Sequence, residues 1–170
     1  MVKTQLSSRP EMDLHSGPSA RVLIIEAPYY KEITDELGQG AMAVLDEAQT
    51  SYDWIAVPGA LEIPQAFAQA VAAGLFGEGE KSVYAGVVVL GCVIRGETSH
   101  YDIVCNNTNH WLMETAIRNT IPLGNGVLTV DTEAQAFARA RGGADGKGGD
   151  AARACLRLIR IGRRLGQRTS

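Results

Sequence analysis

Residues 83–94 read Val-Tyr-Ala-Gly-Val-Val-Val-Leu-Gly-Cys-Val-Ile, twelve residues without a charge and without polar–apolar alternation. A strand with that pattern needs cover on both faces, which is the condition of a strand inside a parallel sheet. Two shorter runs repeat the theme, Arg-Val-Leu-Ile-Ile-Glu-Ala at 21–27 and Ser-Tyr-Asp-Trp-Ile-Ala-Val at 51–57, and Gly-Val-Leu-Thr-Val-Asp at 126–131 adds a fourth.

Helical patterns separate these runs. From about Lys31 to Gln49, Ile33, Leu37, Met42, Leu45 and Ala48 fall roughly on one face. Ile63, Phe67, Ala70, Val71 and Leu75 form the next apolar stripe, with Pro64 in the tolerant first turn and Gly77 and Gly79 as stops. A third helix is expected from about His100 to Asn119. A short one follows strand four, opened by the capping pair Thr132 and Gln135 and running to about Arg141. Gly-Gly-Ala-Asp-Gly-Lys-Gly-Gly at 142–149 reads as a loop, and a last helix as running from about Asp150 to Leu165. Strand–helix alternation implies crossover units. The expected fold is therefore α/β, a flavodoxin-like three-layer sandwich with a four-stranded parallel sheet flanked by helices. The polar residues 1–20 are read as a flexible N-terminal arm, and 21–170 as a single domain.

The totals exclude several functions. A net charge of −3 disfavours nucleic acid as a partner. Cys92, Cys105 and Cys155 are odd in number and irregularly spaced, unlike a disulfide framework or a zinc site, and free thiols suit a reducing cytoplasm. No run approaches the roughly 20 apolar residues of a membrane helix, and the first residues show no signal-peptide pattern. Neither the dinucleotide fingerprint nor a P-loop occurs.

In a sheet of this type ligands bind beyond the carboxyl ends of the strands. Gly-Cys-Val-Ile-Arg-Gly-Glu-Thr-Ser-His-Tyr-Asp at 91–102 carries a strand end into a helix start. Free N–H groups there, with the hydroxyls of Thr98 and Ser99, suit an anion such as phosphate. His100 is placed either to cap and pack or to serve as general acid–base. Pro58-Gly59 brings backbone close to the crevice, and Glu62 either accepts ligand hydrogen bonds or complements a helix start. Arg139 and Lys147 are candidate phosphate ligands, and Tyr29 and Tyr30 can stack on a heterocycle. His15 and His110 are read as structural. The last helix carries Arg153, Arg157, Arg160, Arg163 and Arg164, a solvated face or a subunit contact.

Pro-Gly-Ala-Leu-Glu-Ile-Pro at 58–64, the segment 91–106 and Gly-Asn-Gly-Val-Leu-Thr-Val-Asp-Thr-Glu-Ala-Gln-Ala-Phe-Ala-Arg-Ala at 124–140 together resemble the lumazine synthase family, over about residues 21–166. The resemblance implies the penultimate step of riboflavin biosynthesis. There, 5-amino-6-(D-ribitylamino)uracil and 3,4-dihydroxy-2-butanone 4-phosphate condense to 6,7-dimethyl-8-ribityllumazine, with no metal and no organic cofactor. It further implies that His100 moves protons and that Arg139 holds the phosphate, with Glu97, Thr98 and Lys147 beside it. Ala60, Leu61 and Glu62 would line the ribityl and pyrimidine pocket, and Cys92, Val93 and Ile94 would meet the uracil through backbone. Tyr29 takes the stacking position in Ala27-Pro28-Tyr29-Tyr30, where many members carry Arg-Phe-Asn. Asn125 stands where many members place a phenylalanine in a neighbour's site. The family's sites lie between subunits of a homo-oligomer. A pentamer is the expected state, a sixty-subunit shell is compatible, and riboflavin synthase is a possible partner. A flavodoxin-like binding module without turnover is the rival reading, and the phosphate-directed residues Arg139 and Lys147 speak against it.

Overall fold

The computed structural model describes residues 20–166. The arm lies outside the described residues except for Ala20, which is buried. Four strands and five helices alternate: β1 (Arg21–Glu26), α1 (Lys31–Glu47), β2 (Ser51–Ala56), α2 (Glu62–Ala72), β3 (Gly86–Ile94), α3 (His100–Arg118), β4 (Leu123–Val130), α4 (Glu133–Ala140) and α5 (Lys147–Gly166), with a single 3₁₀ turn at Gly143–Asp145. The sheet order is β2-β1-β3-β4 and every pairing is parallel, the flavodoxin-like sandwich expected of the sequence.

β1 and β3 are central, so both their faces are covered. Val22 and Ile24 point into one core with Leu37, Ala41, Leu45 and Cys155, which joins the sheet to α1 and α5. Leu23 and Ile25 point into the other with Ile63, Phe67 and Leu112, which joins it to α2 and α3. That two-sided demand explains the uninterrupted apolar runs of the sequence.

Three boundaries differ from expectation. β3 begins at Gly86 rather than residue 83, because Val83 is 48% exposed and the N–H groups of Val83 and Tyr84 donate to the Leu75 carbonyl, with Tyr84 bridging Phe76, before the chain joins the sheet. β4 begins at Leu123, earlier than residue 126, since Leu123 and Gly124 already pair with Val87 and Val88. α2 ends at Ala72, and the residue that turns the chain is Gly74, at φ 75°, ahead of Gly77 and Gly79.

The largest correction concerns 142–149. Its first half turns through Gly142, at φ 110°, into the 3₁₀ turn, but Lys147 already begins α5. Gly148 and Gly149 are buried helical residues. A Cβ on Gly148 would collide with the Leu37 carbonyl of α1, and one on Gly149 with the Ala144 carbonyl. These glycines serve close approach of backbones rather than freedom of a loop.

Candidate functional site

The three crossovers bring the loops at the carboxyl ends of β1, β2 and β3 together around a cleft of about 330 Å³. Its lining includes Tyr29, Ala60, Leu61, Glu62, Cys92, Val93, Ile94, Thr98 and His100. These were singled out from sequence, and one chain brings them together. Glu97, Asn125, Arg139 and Lys147 do not line it.

Each wall has a local cause. Glu62 is the first residue of α2, set by a tight turn in which its N–H donates to the Gly59 carbonyl at 3.1 Å. A Cβ on Gly59 would lie 3.0 Å from Glu62 Oε2, so a larger residue would crowd the carboxylate that faces the cleft. Cys92, Val93 and Ile94 form the floor as β3 runs out, still paired with Leu128, Thr129 and Val130 of β4. His100 opens α3, and its N–H donates to Thr98 Oγ1 at 3.3 Å, which folds the hydroxyl back over the helix start. His100 and Thr98 are exposed, so both are open to a ligand.

At the mouth, Tyr29 is 73% exposed and meets the edge of Tyr30 at 5.0 Å between ring centroids. Tyr30 is held by the start of α1, whose Ile33 and Thr34 N–H groups donate to its carbonyl. One ring is thus fixed and the other presented to solvent at a site able to stack a planar ligand.

The thiols are not nucleophiles here. Burial, with Cys105 nearby, pushes Cys92 up to about 11, so it remains a neutral thiol near pH 7. Burial pushes Cys155 up to about 12. All three cysteines are free.

The remaining candidates lie elsewhere. Arg139 is on the exposed side of α4, its Nη1 donating to the Gln135 carbonyl at 3.0 Å. Lys147, expected to reach from a loop, sits instead on the first residue of α5 and pairs with Asp150 at 3.0 Å. Asn125 projects from edge strand β4, where its Nδ2 donates to Asn109 Oδ1 at 2.7 Å. Glu97 is exposed on the segment between β3 and α3. Two lining residues, Tyr101 and Val104, were missed. A signal existed for Val104, which falls four positions after His100 on its side of the helix, whereas Tyr101, one position on, carried none.

Geometrically this is an α/β sandwich with a small-molecule cleft at its strand ends: an aromatic at the mouth, a carboxylate on one wall and a histidine at a helix start on the other. Comparison with known proteins specifies it further. A family model described as 6,7-dimethyl-8-ribityllumazine synthase matches residues 19–163. A protein of that name from Nitrobacter hamburgensis is 49% identical over 156 residues, covering 92% of this chain and 94% of its own. One from Azorhizobium caulinodans is 53% identical over 145 residues, covering 85% and 88%. The 6,7-dimethyl-8-ribityllumazine synthase 1 of Rhodopseudomonas palustris is 47% identical over 156 residues, covering 92% and 94%. The chain belongs to the 6,7-dimethyl-8-ribityllumazine synthase family.

Proposed function

We propose that the cleft condenses 5-amino-6-(D-ribitylamino)uracil with 3,4-dihydroxy-2-butanone 4-phosphate to give 6,7-dimethyl-8-ribityllumazine. The observation that carries this reading is the convergence of Tyr29, Glu62, Thr98 and His100 on one cleft in a chain of this family. The 5-amino group attacks the ketone carbonyl, and loss of water gives an imine. Inorganic phosphate then leaves, and the second amine closes the ring with loss of a further water. No electrons enter or leave, so the reaction needs no redox group, and we assign no cofactor.

The roles follow from placement. Tyr29 stacks on the pyrimidine. Ala60, Leu61 and Glu62 hold the ribityl chain and the ring, with the carboxylate accepting from hydroxyl or amide donors. The backbone of Cys92, Val93 and Ile94, on the cleft floor, reads the uracil. Thr98, the Glu97 segment and the α3 start receive phosphate, aided by the helix dipole. His100 passes protons between the amine, the carbonyl oxygen and solvent. Holding the two reactants together supplies much of the acceleration.

No lysine or arginine is among the described residues lining this cleft. A phosphate dianion calls for a cation. We therefore assign Arg139 and Lys147, with Asn125 as a wall, to the cleft of a neighbouring copy in a homo-oligomer. A pentamer is the state we favour, a sixty-subunit shell is compatible with it, and riboflavin synthase is the natural recipient of the product. A reducing cytoplasm fits three free thiols, and no helix among the described residues is long and apolar enough to cross a membrane.

The test is direct: mix protein with both substrates and follow lumazine absorbance and fluorescence against the uncatalysed rate. We expect product above background, and in Arg139→Ala a KM for the phosphorylated ketone raised by roughly tenfold to a hundredfold, the value of a charge-assisted contact. Saturable riboflavin binding without product would favour the binding module. An unchanged KM in the variant would remove Arg139 from the site.

A further inference from the structure

One residue just past the end of β3 ties the end of β4 to the start of α3, yet it does not line the cleft. Arg95 donates from its backbone N–H to the Val130 carbonyl at 2.9 Å, the last bond between β3 and β4. Its Nε donates to Asp131 Oδ1 at 2.9 Å and its Nη1 to Asp102 Oδ1 at 3.4 Å. The guanidinium carbon sits 4.1 Å above the ring of Tyr101, which is a cleft wall.

The connections continue on the far side. The Asp131 N–H donates to Gln135 Oε1 at 2.8 Å, and the Gln135 N–H donates to Thr132 Oγ1 at 3.2 Å. The Gln135 carbonyl accepts from Arg139. A continuous set of bonds thus runs from the first turn of α3, which carries His100, through Arg95 to α4, which carries Arg139. Ser99, at the N-cap of α3, makes no side-chain capping bond of its own.

We infer that Arg95 is a positioning residue that clamps the first turn of α3, with Thr98 and His100, to the end of β4 and the start of α4. The inference rests on the reading of the cleft given above. Its mode of action is geometric rather than electrostatic, since two carboxylates already face the guanidinium. Arginine suits the task, because its planar fork can reach both carboxylates while its face covers an aromatic ring.

The two modes predict opposite signs for one isosteric substitution. Asp131→Asn removes a negative charge near the anion site. If Arg95 worked by attracting phosphate, that change would lower the KM for the phosphorylated ketone. As a clamp, the contact weakened in Asp131→Asn, which keeps the acceptor oxygen but not the charge, should raise that KM or lower kcat by a few-fold, and its full loss in Arg95→Ala should reduce kcat/KM on the order of tenfold, as small displacements of reacting groups do. Arg95→Ala should act in the same direction and Arg95→Lys should recover only part. Melting temperatures should barely move, because exposed ion pairs add little stability.

Amide hydrogen exchange supplies a readout independent of turnover. Exchange across residues 96–104 should quicken by about tenfold in Arg95→Ala and by a smaller factor in Asp131→Asn, while the rest of α3 keeps its protection. Unchanged exchange there overturns the clamp, and so does an improved KM in Asp131→Asn. Wild-type protein that forms no product would instead sink the proposed reaction, leaving the exchange result to judge the clamp.

Discussion

The His100 imidazole is exposed at the first residue of α3, with solvent within reach. Water can therefore take over part of the proton traffic proposed for it. We expect His100→Ala to cut kcat by about tenfold, below the 10² to 10⁴ of an indispensable general acid–base, with little change in KM for either substrate. Steady-state kinetics decides this, and a loss beyond about a thousandfold would mean that His100 carries a step that water cannot. The cleft residues were legible because turn chemistry and strand ends mark themselves in sequence: Pro58-Gly59 before Glu62, and Gly96 before Thr98 and His100. Arg139, Lys147 and Asn125 are a different case. Their residue types point to phosphate or a pocket wall, but nothing in a single chain says whose cleft they serve. Lys147 was also misplaced locally, since glycine on both sides made it read as part of a loop, whereas it heads α5 and pairs with Asp150.

At the scale of elements, the strand runs and helical stripes were readable because the two-sided core imposes them. Boundaries were less so, because local composition does not report where backbone pairing starts: Leu123 and Gly124 join β4 through their partners on β3. The glycines at the α1–α5 contact show the same limit. Their composition signals a loop, and only the packed partner reveals that helices touch there. This makes two substitutions in one helix differ in sign. Gly148→Ala drives a methyl into the Leu37 carbonyl of α1. It should destabilise by about 3 kcal/mol, lowering the unfolding temperature by roughly 6–12 °C. Gly162→Ala, in the same helix, meets nothing within 4 Å and should stabilise by about 0.5–1 kcal/mol through helix propensity. Calorimetry on both variants checks the pair. Equal effects would mean that the tight α1–α5 contact does not govern α5.

For the whole molecule, the isolated chain leaves apolar surface uncovered. On α3, Ile103, Trp111, Met113 and Ile117 are 46–70% exposed. Exposed apolar clusters of that kind usually mark a contact surface. The cleft also has no cation among the described residues that line it, although the substrate proposed for it carries a phosphate. Both observations have one resolution if copies pack head to tail, each lending α4 to the next copy's cleft. Complementation then follows. Arg139→Ala keeps a sound cleft but lends no arginine, and Ala60→Trp blocks its own cleft yet can still lend Arg139. Each variant alone should be nearly inactive with the phosphorylated substrate at low concentration. Co-expressed in equal amounts and randomly mixed, they should contain about a quarter of clefts with both parts intact, and should recover about a quarter of wild-type activity. Mixing the two purified proteins without subunit exchange should recover none. If Arg139 served the cleft of its own chain, every mixed assembly would hold only defective sites, and co-expression would add nothing to the sum of the two variants.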